Sequence, residues 1–369
     1  MQYREFGNTG IKLSTLGFGA MRLPKDEDYA VQVIRRAFEL GVNYLDTARI
    51  YGESERICGR ALKGWRDKVY VSTKNNLEDT TVDGWWRRLH TSLETLDVEY
   101  IDFYHVIHDL RREKYEAFVA NGGMDAVYKA KDQGLIKHIC FSCHEPPENI
   151  IGYIDTGYFE GITLQYNLLD RSNQDVMAYA HDKGLGVIVM GPVGGGRLAA
   201  PSEKIKAMIP TEVKSSAEVA LRFVLANPNV TCAISGMNTI EMVEENAKVA
   251  SREQALSPDE EIAIQNALDE VKRLADLYCT GCNYCMPCPN GVNIPENFRI
   301  MNLYRLYGIT EHARSVYNSM SNPDRPGRGK KAEDCIECGE CEPKCPQKIP
   351  IIKQLKEVAE TFGCLCNRC

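Results

Sequence analysis

The sequence predicts an α/β protein in which a (β/α)8 TIM barrel is followed by a small α-helical domain rich in cysteine. Over about the first 275 residues, short β-rich runs alternate with amphipathic helical segments, as in parallel βα units. That length is close to the ~250 residues typical of a (β/α)8 barrel. Two cysteine runs then follow, over residues 279–288 and 335–345.

Eight candidate strands follow a polar opening hairpin, and eight strands alternating with helices close best as a barrel. An open doubly wound sheet is the alternative, but it would place G-x-G-x-x-G after its first strand, and this sequence lacks that motif. The predicted strands are Leu16–Met21, Val42–Asp46, Val69–Thr73, Ile101–Ile107, His138–Ser142, Ile162–Tyr166, Gly186–Met190 and Cys232–Ser235. Predicted helices include Tyr29–Leu40, Val82–Leu96, Gln174–Lys183 and Ala217–Ala226.

The cysteine runs have the spacing of a protein with two [4Fe–4S] clusters. Three thiolates at i, i+3 and i+6 wrap one cluster, and a fourth cysteine, followed by proline, reaches the other. The first cluster site is expected to comprise Cys279, Cys282, Cys285 and Cys345, and the second cluster site Cys335, Cys338, Cys341 and Cys288. Zinc is the alternative, but a four-cysteine zinc site needs only two separated C-x2-C pairs and has no use for a third cysteine.

A helix start separates the two halves of the chain. Ser257 is suited to the N-cap, Pro258 to the first helical position, and acids follow in the first turn. We therefore expect a barrel over residues 1–256, a connecting helix over 257–278 and a two-cluster domain over 279–369. Predicted helices around Asn297–Tyr307 and Thr310–Met320 favour an α-helical ferredoxin-like iron–sulfur domain.

Composition narrows the functional classes. The net charge of −7 and the pI of about 5.7 argue against nucleic acid as a partner. The sequence shows no signal peptide and no apolar run long enough to span a bilayer. Most of the 15 cysteines lie in cluster spacing, which favours a reducing cytoplasm over a disulfide-forming compartment.

Reactive groups stand at the ends of predicted strands, where barrel enzymes place their active sites. Asp46 and Tyr51 follow the second strand, Lys74 ends the third, and His105 and His108 end the fourth. The ammonium of Lys74 is expected to lower the pKa of Tyr51 from its usual value of about 10. Asp46 would hold Lys74 charged, and a histidine would share the carbonyl oxygen that the tyrosine protonates.

These motifs resemble those of the aldo-keto reductases. Asp46-Thr47-Ala48-x2-Tyr51-Gly52-x-Ser54-Glu55 and Ser72-Thr73-Lys74 match the family's Asp, Tyr and Lys motifs, and the cysteine tail is similar to that of members with a C-terminal 4Fe–4S domain. The resemblance implies hydride transfer from a nicotinamide to a carbonyl, with Tyr51 as the acid, Lys74 and Asp46 tuning it, and a histidine orienting the substrate. One extra residue, interpreted as a β-bulge, makes His108 the preferred histidine, with His105 second.

The resemblance also implies a site for NAD(H) or NADP(H). The carboxamide would lie near Ser142, Thr163 and Gln165, and the adenosine half near Ser235, Gly236, Met237, Asn238, Glu245 and Asn246. The glycine-rich turn Gly191-Pro192-Val193-Gly194-Gly195-Gly196 suits a pyrophosphate, although a flexible turn is the alternative. Gly236 and Met242 replace the Lys and Arg of NADPH-using relatives, so a strong NADPH preference is not expected.

Three functions remain open at this point. In the first, the barrel is an NAD(P)-dependent carbonyl or alcohol oxidoreductase, and two clusters exchange electrons with a ferredoxin or another redox protein. In the second, the protein is a flavin- or cluster-fed reductase of a small organic molecule. In the third, it is an electron-transfer or docking subunit whose barrel is not catalytic. Cys364, Cys366 and Cys369 are candidates for a metal site or redox-active thiols. Cys143 could lie near the substrate, and Cys58, Cys140 and Cys232 are expected to be small buried hydrophobes.

Overall fold

The computed structural model describes residues 1–279, 283–320, 328–345 and 348–363. They divide into two compact units. The barrel unit contains Met1–Gly195 and Ala220–Leu256, whereas Gly196–Val219 groups with the described residues after Leu256 in the cysteine unit. In the part of the chain that is described, no helix combines the length and the apolar character that crossing a membrane requires.

Eight parallel strands form a closed barrel, as predicted. The strands follow one another in chain order, and the last pairs with the first through Ala233 opposite Leu16. They are β3 Leu16–Gly19, β4 Tyr44–Asp46, β5 Tyr70–Lys74, β6 Ile101–His105, β7 Ile136–Ser142, β8 Gly161–Gln165, β9 Gly186–Met190 and β10 Cys232–Ser235. Because all eight run the same way, their carboxyl ends lie at one face.

The helices that alternate with these strands are amphipathic. In the first, Asp26 caps the N-terminus by accepting the amide of Tyr29, and Val33, Ile34 and Ala37 are buried. The helices up to the end of the barrel sequence are α1 Glu27–Glu39, α2 Ser54–Leu62, α3 Val82–Leu96, α4 Arg112–Ala120, α5 Gly123–Asp132, α6 Pro147–Ile154, α7 Gln174–Asp182, α8 Glu203–Lys206, α9 Ser216–Ala226 and α10 Ile240–Ala250.

A hairpin of β1 Tyr3–Glu5 and β2 Lys12–Ser14 brings Phe6 into the amino-terminal end of the barrel. The Phe6 ring lies 4.6 Å from that of Phe103. A Cβ atom on Gly161 or Gly186 would come within 2.2 Å of the Phe6 ring, so these strand positions must be glycine.

The described part of the cysteine unit is α-helical. Its helices after the barrel sequence are α11 Pro258–Tyr278, α12 Ile294–Arg305, α13 Thr310–Ser319 and α14 Ile351–Phe362. A capping box begins α11, because Ser257 and Glu260 each accept the other's backbone amide, at 3.3 and 2.8 Å. Tyr317 of α13 packs on Phe362 of α14 with ring centres 5.4 Å apart.

Candidate functional site

Asp46 and Lys74 form a buried ion pair at the carboxyl ends of β4 and β5. The Lys74 ammonium donates to both Asp46 oxygens, at 2.7 and 2.6 Å, and to the carbonyl of Thr47, at 2.8 Å. Both side chains are almost fully buried. Three donors therefore meet three acceptors, which is the condition under which a buried charge pair is tolerated.

Tyr51 lies beside this pair in the loop after β4. Its ring centre is 5.5 Å from the Lys74 ammonium and 5.9 Å from the His108 ring, which it meets edge to face. The next residue, Gly52, has a φ of 60°, a left-handed conformation that suits the turn into α2. The structure thus brings together Asp46, Tyr51, Lys74 and His108.

The pKa of Tyr51 shifts in the opposite direction from the one expected. Burial is the largest influence and raises the pKa, Lys74 lowers it, and Asp46 raises it again. The prediction of a lowered pKa was wrong, because burial outweighs the charge of Lys74 and because the charge of Asp46 opposes it. Tyr51 therefore keeps its proton at neutral pH, as a general acid must.

His108 is a half-buried histidine next to Tyr51. Burial, and then the charge of Lys74, lower its pKa to about 4, so the imidazole is neutral at pH 7. The ladder between β6 and β7 is regular from Ile101 to His105, and the His108 amide donates to the carbonyl of Asn75 at 2.7 Å. The extra residue therefore lies in the turn after the strand and does not form the β-bulge that we expected.

His105 is fully enclosed within the barrel. One ring nitrogen lies 2.7 Å from the Thr163 hydroxyl and the other 3.3 Å from the Ser72 hydroxyl, which donates to Asp46 at 3.0 Å. Burial holds the pKa of His105 well below its usual value. The motifs did not reveal this network. No local pattern could have shown it, because Ser72, His105 and Thr163 come from three different strands and are not register partners.

The residues predicted to meet the carboxamide lie at the ends of β7 and β8. Ser142 is buried and accepts the amide of Asp109 at 3.1 Å. Thr163 is the buried partner of His105, and half-buried Gln165 donates to Asp170 at 3.2 Å. Of the three, Gln165 is the one that is partly exposed to solvent.

The glycine-rich turn after β9 is held from two sides. Asn167 donates to the carbonyl of Gly191 at 3.0 Å, and Arg22, from the segment after β3, donates to the carbonyl of Gly195 at 2.6 Å. Gly191, Gly194 and Gly195 all have positive φ values, between 59° and 66°. Sequence reasoning missed Arg22, although its position just after the first barrel strand is one where functional residues occur.

After β10, the predicted adenosine-binding residues differ in exposure. Gly236 and Asn238 are exposed, whereas Met237 is buried and can offer only its backbone. Asn246 of α10 donates to the Ser235 hydroxyl at 3.2 Å. Glu245, one residue earlier in α10, has partners within the protein.

All four ligands predicted for the second cluster site line one cavity in the cysteine unit. Cys288 comes from the first cysteine run and Cys335, Cys338 and Cys341 from the second. Val292, Ile294, Ile352 and Leu355 back this cavity with apolar side chains. Four thiols from two segments thus line one cavity, and four cysteines are the donor set that a cubane cluster takes. Burial raises the pKa of the Cys341 thiol, and negative charge at Glu342 and Cys335 adds to the increase.

The first cluster site is described in part. Cys279, Cys285 and Cys345 are half-buried, and Cys285 also lines the cavity of the second site. Cys282 lies outside the described residues, as do Cys364, Cys366 and Cys369.

The cysteines of the barrel are buried. Burial raises the pKa of Cys143 to about 11 and that of Cys58 to about 12, and it raises those of Cys140 and Cys232 well above the usual value. These thiols are therefore protonated and behave as small apolar groups.

Comparison with known proteins agrees with this architecture. Residues 15–270 match the aldo/keto reductase family, and residues 278–350 match the 4Fe-4S dicluster domain. L-galactose dehydrogenase of Arabidopsis thaliana is 30% identical over 311 residues, covering 74% of this chain and 96% of the plant protein. An uncharacterized oxidoreductase of Bacillus subtilis, YqkF, is 28% identical over 306 residues, and the match covers 72% of this chain and 96% of the Bacillus protein.

A solved structure shows the same barrel. The holo form of an aldo-keto reductase from Bacillus halodurans superposes with a TM-score of 0.64 at 28% identity, covering 72% of this chain and 96% of that one. The family match spans more than half of the sequence, and the closed barrel and the cysteine cavity agree with the two matched regions. The chain is therefore a member of the aldo/keto reductase family, an oxidoreductase whose barrel sequence is followed by a 4Fe–4S dicluster domain.

Proposed function

We propose that the barrel, residues 1–256, interconverts carbonyls and alcohols with NAD(P)H, and that two 4Fe–4S clusters exchange electrons with a separate carrier. The helix over 257–278 would connect the barrel to the cluster domain over 279–369. The observation that carries the catalytic part is the contact of Tyr51 with both Lys74 and neutral His108, above the buried Asp46 pair.

In this proposal Tyr51 donates the proton to the carbonyl oxygen. Its raised pKa keeps the phenol protonated until a substrate oxygen gains negative charge. Lys74 then stabilises the phenolate, and Asp46 and the Thr47 carbonyl keep the ammonium fixed at that position. His108, neutral because its pKa is about 4, orients the carbonyl by a single hydrogen bond.

A nicotinamide, when bound, would supply the hydride. The residues that fit it are Gln165 at the carboxamide, the turn of Gly191, Pro192 and Gly194 at the pyrophosphate, and Gly236 and Asn238 at the adenosine. Because glycine has no side chain, the backbone of this turn could approach a phosphate closely, and the Gly194 amide closes the turn by donating to the Gly191 carbonyl at 2.8 Å. Exposed Met242 offers no charge to a 2′-phosphate, so NADH should serve at least as well as NADPH.

The dicluster domain would hold its clusters through the eight cysteines of the two runs. Such clusters exchange single electrons, so the proposed partner is a ferredoxin or another one-electron protein. A cytoplasmic location is part of this proposal, because a reducing compartment keeps cysteine thiols from pairing as disulfides. Because one relative is named for L-galactose, sugar aldehydes belong in the first substrate panel.

The test is anaerobic turnover with NADH or NADPH and a panel of aldehydes, ketones and aldoses. The wild-type protein should consume one nicotinamide per carbonyl. Tyr51→Phe should slow this turnover by roughly 10²–10⁴-fold, because general acid catalysis contributes that much. Tyr128→Phe, at an exposed tyrosine of α5, is the matched control and should keep the wild-type rate. Equal rates for the two variants would reject Tyr51 as the proton donor.

A further inference from the structure

The turn that carries His108 contains a residue in an unusual backbone conformation. Asp109 follows His108 directly and has a φ of 50°, in the left-handed region that residues other than glycine rarely adopt. Asp and Asn tolerate this region better than other side chains, yet it still costs free energy that surrounding contacts must offset. Residues strained in this way are found mainly at functional sites. The turn after β6 therefore has a shape that its own backbone does not favour.

Backbone hydrogen bonds hold this turn against the strands on both sides of β6. The Asp109 amide donates to the Ser142 hydroxyl at 3.1 Å, and the Leu110 amide donates to the Ser142 carbonyl at 2.7 Å. Ser142 is the last residue of β7 and is buried. On the opposite side, the His108 amide donates to the carbonyl of Asn75, the residue after β5. The position of the histidine therefore depends on the amides of its own turn.

The Asp109 carboxylate joins the same turn to the loop after β7. One oxygen lies 2.9 Å from the His144 Nδ1 atom, which must be the donor because a carboxylate only accepts. The other oxygen accepts two hydrogen bonds from the Arg111 guanidinium, at 2.9 and 3.2 Å. Burial alone would raise the pKa of Asp109, but these hydrogen bonds outweigh it and lower the pKa. Exposed pairs of this kind contribute little to global stability, so the expected consequence is local.

We propose that Asp109 is a positioning residue, which holds the His108 imidazole beside Tyr51 by fixing the left-handed turn against the end of β7. This inference rests on the proposed function, because it gives the turn a part in orienting the carbonyl. Asp109 acts through the backbone that it shares with His108, and no atom of its side chain is required at the reacting carbonyl.

The two ways in which Asp109 could influence His108 have opposite signs. Burial, and then Lys74, lower the pKa of His108 to about 4, whereas the charge of Asp109 raises it and that of His144 lowers it. Loss of the Asp109 charge alone would therefore lower the pKa of His108 further. Release of the turn would expose the imidazole to water and raise the pKa toward its ordinary value of about 6.5. The direction of the change thus separates positioning from electrostatics.

The first test is an NMR titration of the His108 ring in the full-length protein with isotope-labelled histidine, without cofactor or substrate. In Asp109→Ala the pKa of His108 should rise from about 4 to above about 5, because the imidazole gains access to water. In Asp109→Asn it should stay at or below the wild-type value, since Asn tolerates the left-handed region and can still accept a hydrogen bond. His108→Gln identifies the signal. A pKa in Asp109→Ala at or below that of the wild type would overturn the proposal.

The second test is steady-state carbonyl reduction with NADH. Asp109→Ala should lower kcat/KM by roughly tenfold, because the carbonyl is less well oriented, and should leave the affinity for NADH unchanged. Asp109→Asn should retain most of the wild-type value. In a His108→Gln background, Asp109→Ala should have no further effect, since it acts through that histidine. An effect that persisted in full in that background would contradict the proposal.

Asp97→Ala is the matched control. Asp97 also has a left-handed backbone, with a φ of 55°, but it lies at the end of α3 and is exposed. This variant should keep both the wild-type kcat/KM and the wild-type pKa of His108. If the wild type reduced no carbonyl, the proposed function would fail, and the NMR titration would still decide whether Asp109 positions His108.

Discussion

At the scale of single residues, burial controls the chemistry more than charge does. Lys74 alone would make Tyr51 more acidic, yet the pKa of Tyr51 is raised because burial outweighs the charge of Lys74. The same burial lowers the pKa of His108 to about 4. The motifs predicted which residues meet, but they could not predict protonation, because burial depends on side chains distant in sequence.

His108 makes the stability of the protein depend on pH. Between pH 6.5 and about 4 the unfolded chain binds a proton at this histidine that the folded chain does not. The free energy of unfolding should therefore fall as the pH falls through that window. In the His108→Gln variant, the free energy of unfolding should fall less over this pH window than in the wild type, by on the order of 2–3 kcal/mol. The same variant should have a kcat/KM for carbonyl reduction at pH 7 that is lower by ~100-fold.

Denaturant titrations at several pH values measure the first effect and steady-state kinetics the second. The remaining acid sensitivity should reflect His105, whose pKa is also held low by burial. An unchanged pH dependence in the variant would show that His108 titrates normally, in conflict with its placement beside Lys74.

At the scale of elements, hydrophobic pattern and turn residues predicted the barrel closely. All eight strands were found, and the helix Val82–Leu96 has its predicted bounds. Helices α4 and α5 after the fourth strand were not predicted, since their apolar faces are short and Gly122 interrupts the pattern. The packing of Phe6 at the amino-terminal end of the barrel was also not predicted, because its neighbours Gly161 and Gly186 lie on strands that are distant in sequence.

Phe6→Ala should destabilise the barrel by about 3–5 kcal/mol, the cost of removing a fully buried aromatic ring. Gly186→Ala should cost about 1–3 kcal/mol by overpacking, because the new methyl group would meet the same ring. Lys12→Ala, at an exposed position of the same hairpin, is the control and should change stability by less than about 0.5 kcal/mol. Urea titrations measure all three. If Phe6→Ala changed the free energy of unfolding no more than Lys12→Ala does, the burial of Phe6 at the end of the barrel would not contribute to stability.

At the scale of the whole molecule, cysteine spacing predicted that Cys288 lies at one cavity with Cys335, Cys338 and Cys341, because loop reach limits where four thiols can meet. The grouping of Gly196–Val219 with the cysteine unit could not be predicted. That segment follows β9 in sequence, but its partners lie about 100 residues later, as with Ser202, whose hydroxyl donates to the Tyr307 carbonyl. Contacts of that range leave no local pattern in a single sequence.

Two cubane clusters require about eight irons per chain. Cys335→Ser/Cys338→Ser should reduce this to about four, because it removes two ligands of the second cluster site and none of the first. Cys143→Ser, at a buried barrel cysteine, should leave the iron content unchanged. Iron and sulfide analysis of anaerobically prepared protein measures these values. A wild-type content of one or two irons would contradict the two-cluster assignment.

We propose that the barrel transfers a hydride directly to a carbonyl, while the clusters exchange single electrons separately. A reduced nicotinamide dinucleotide with deuterium at both positions of its hydride-donating carbon, supplied with a carbonyl substrate in unlabelled water, distinguishes this route from one through the clusters. Mass spectrometry of the alcohol should show one deuterium on the former carbonyl carbon. If the alcohol formed at the rate seen with unlabelled nicotinamide but carried no deuterium, its hydrogen would have come from water. The electrons would then have passed through the clusters or a flavin, which would contradict direct hydride transfer.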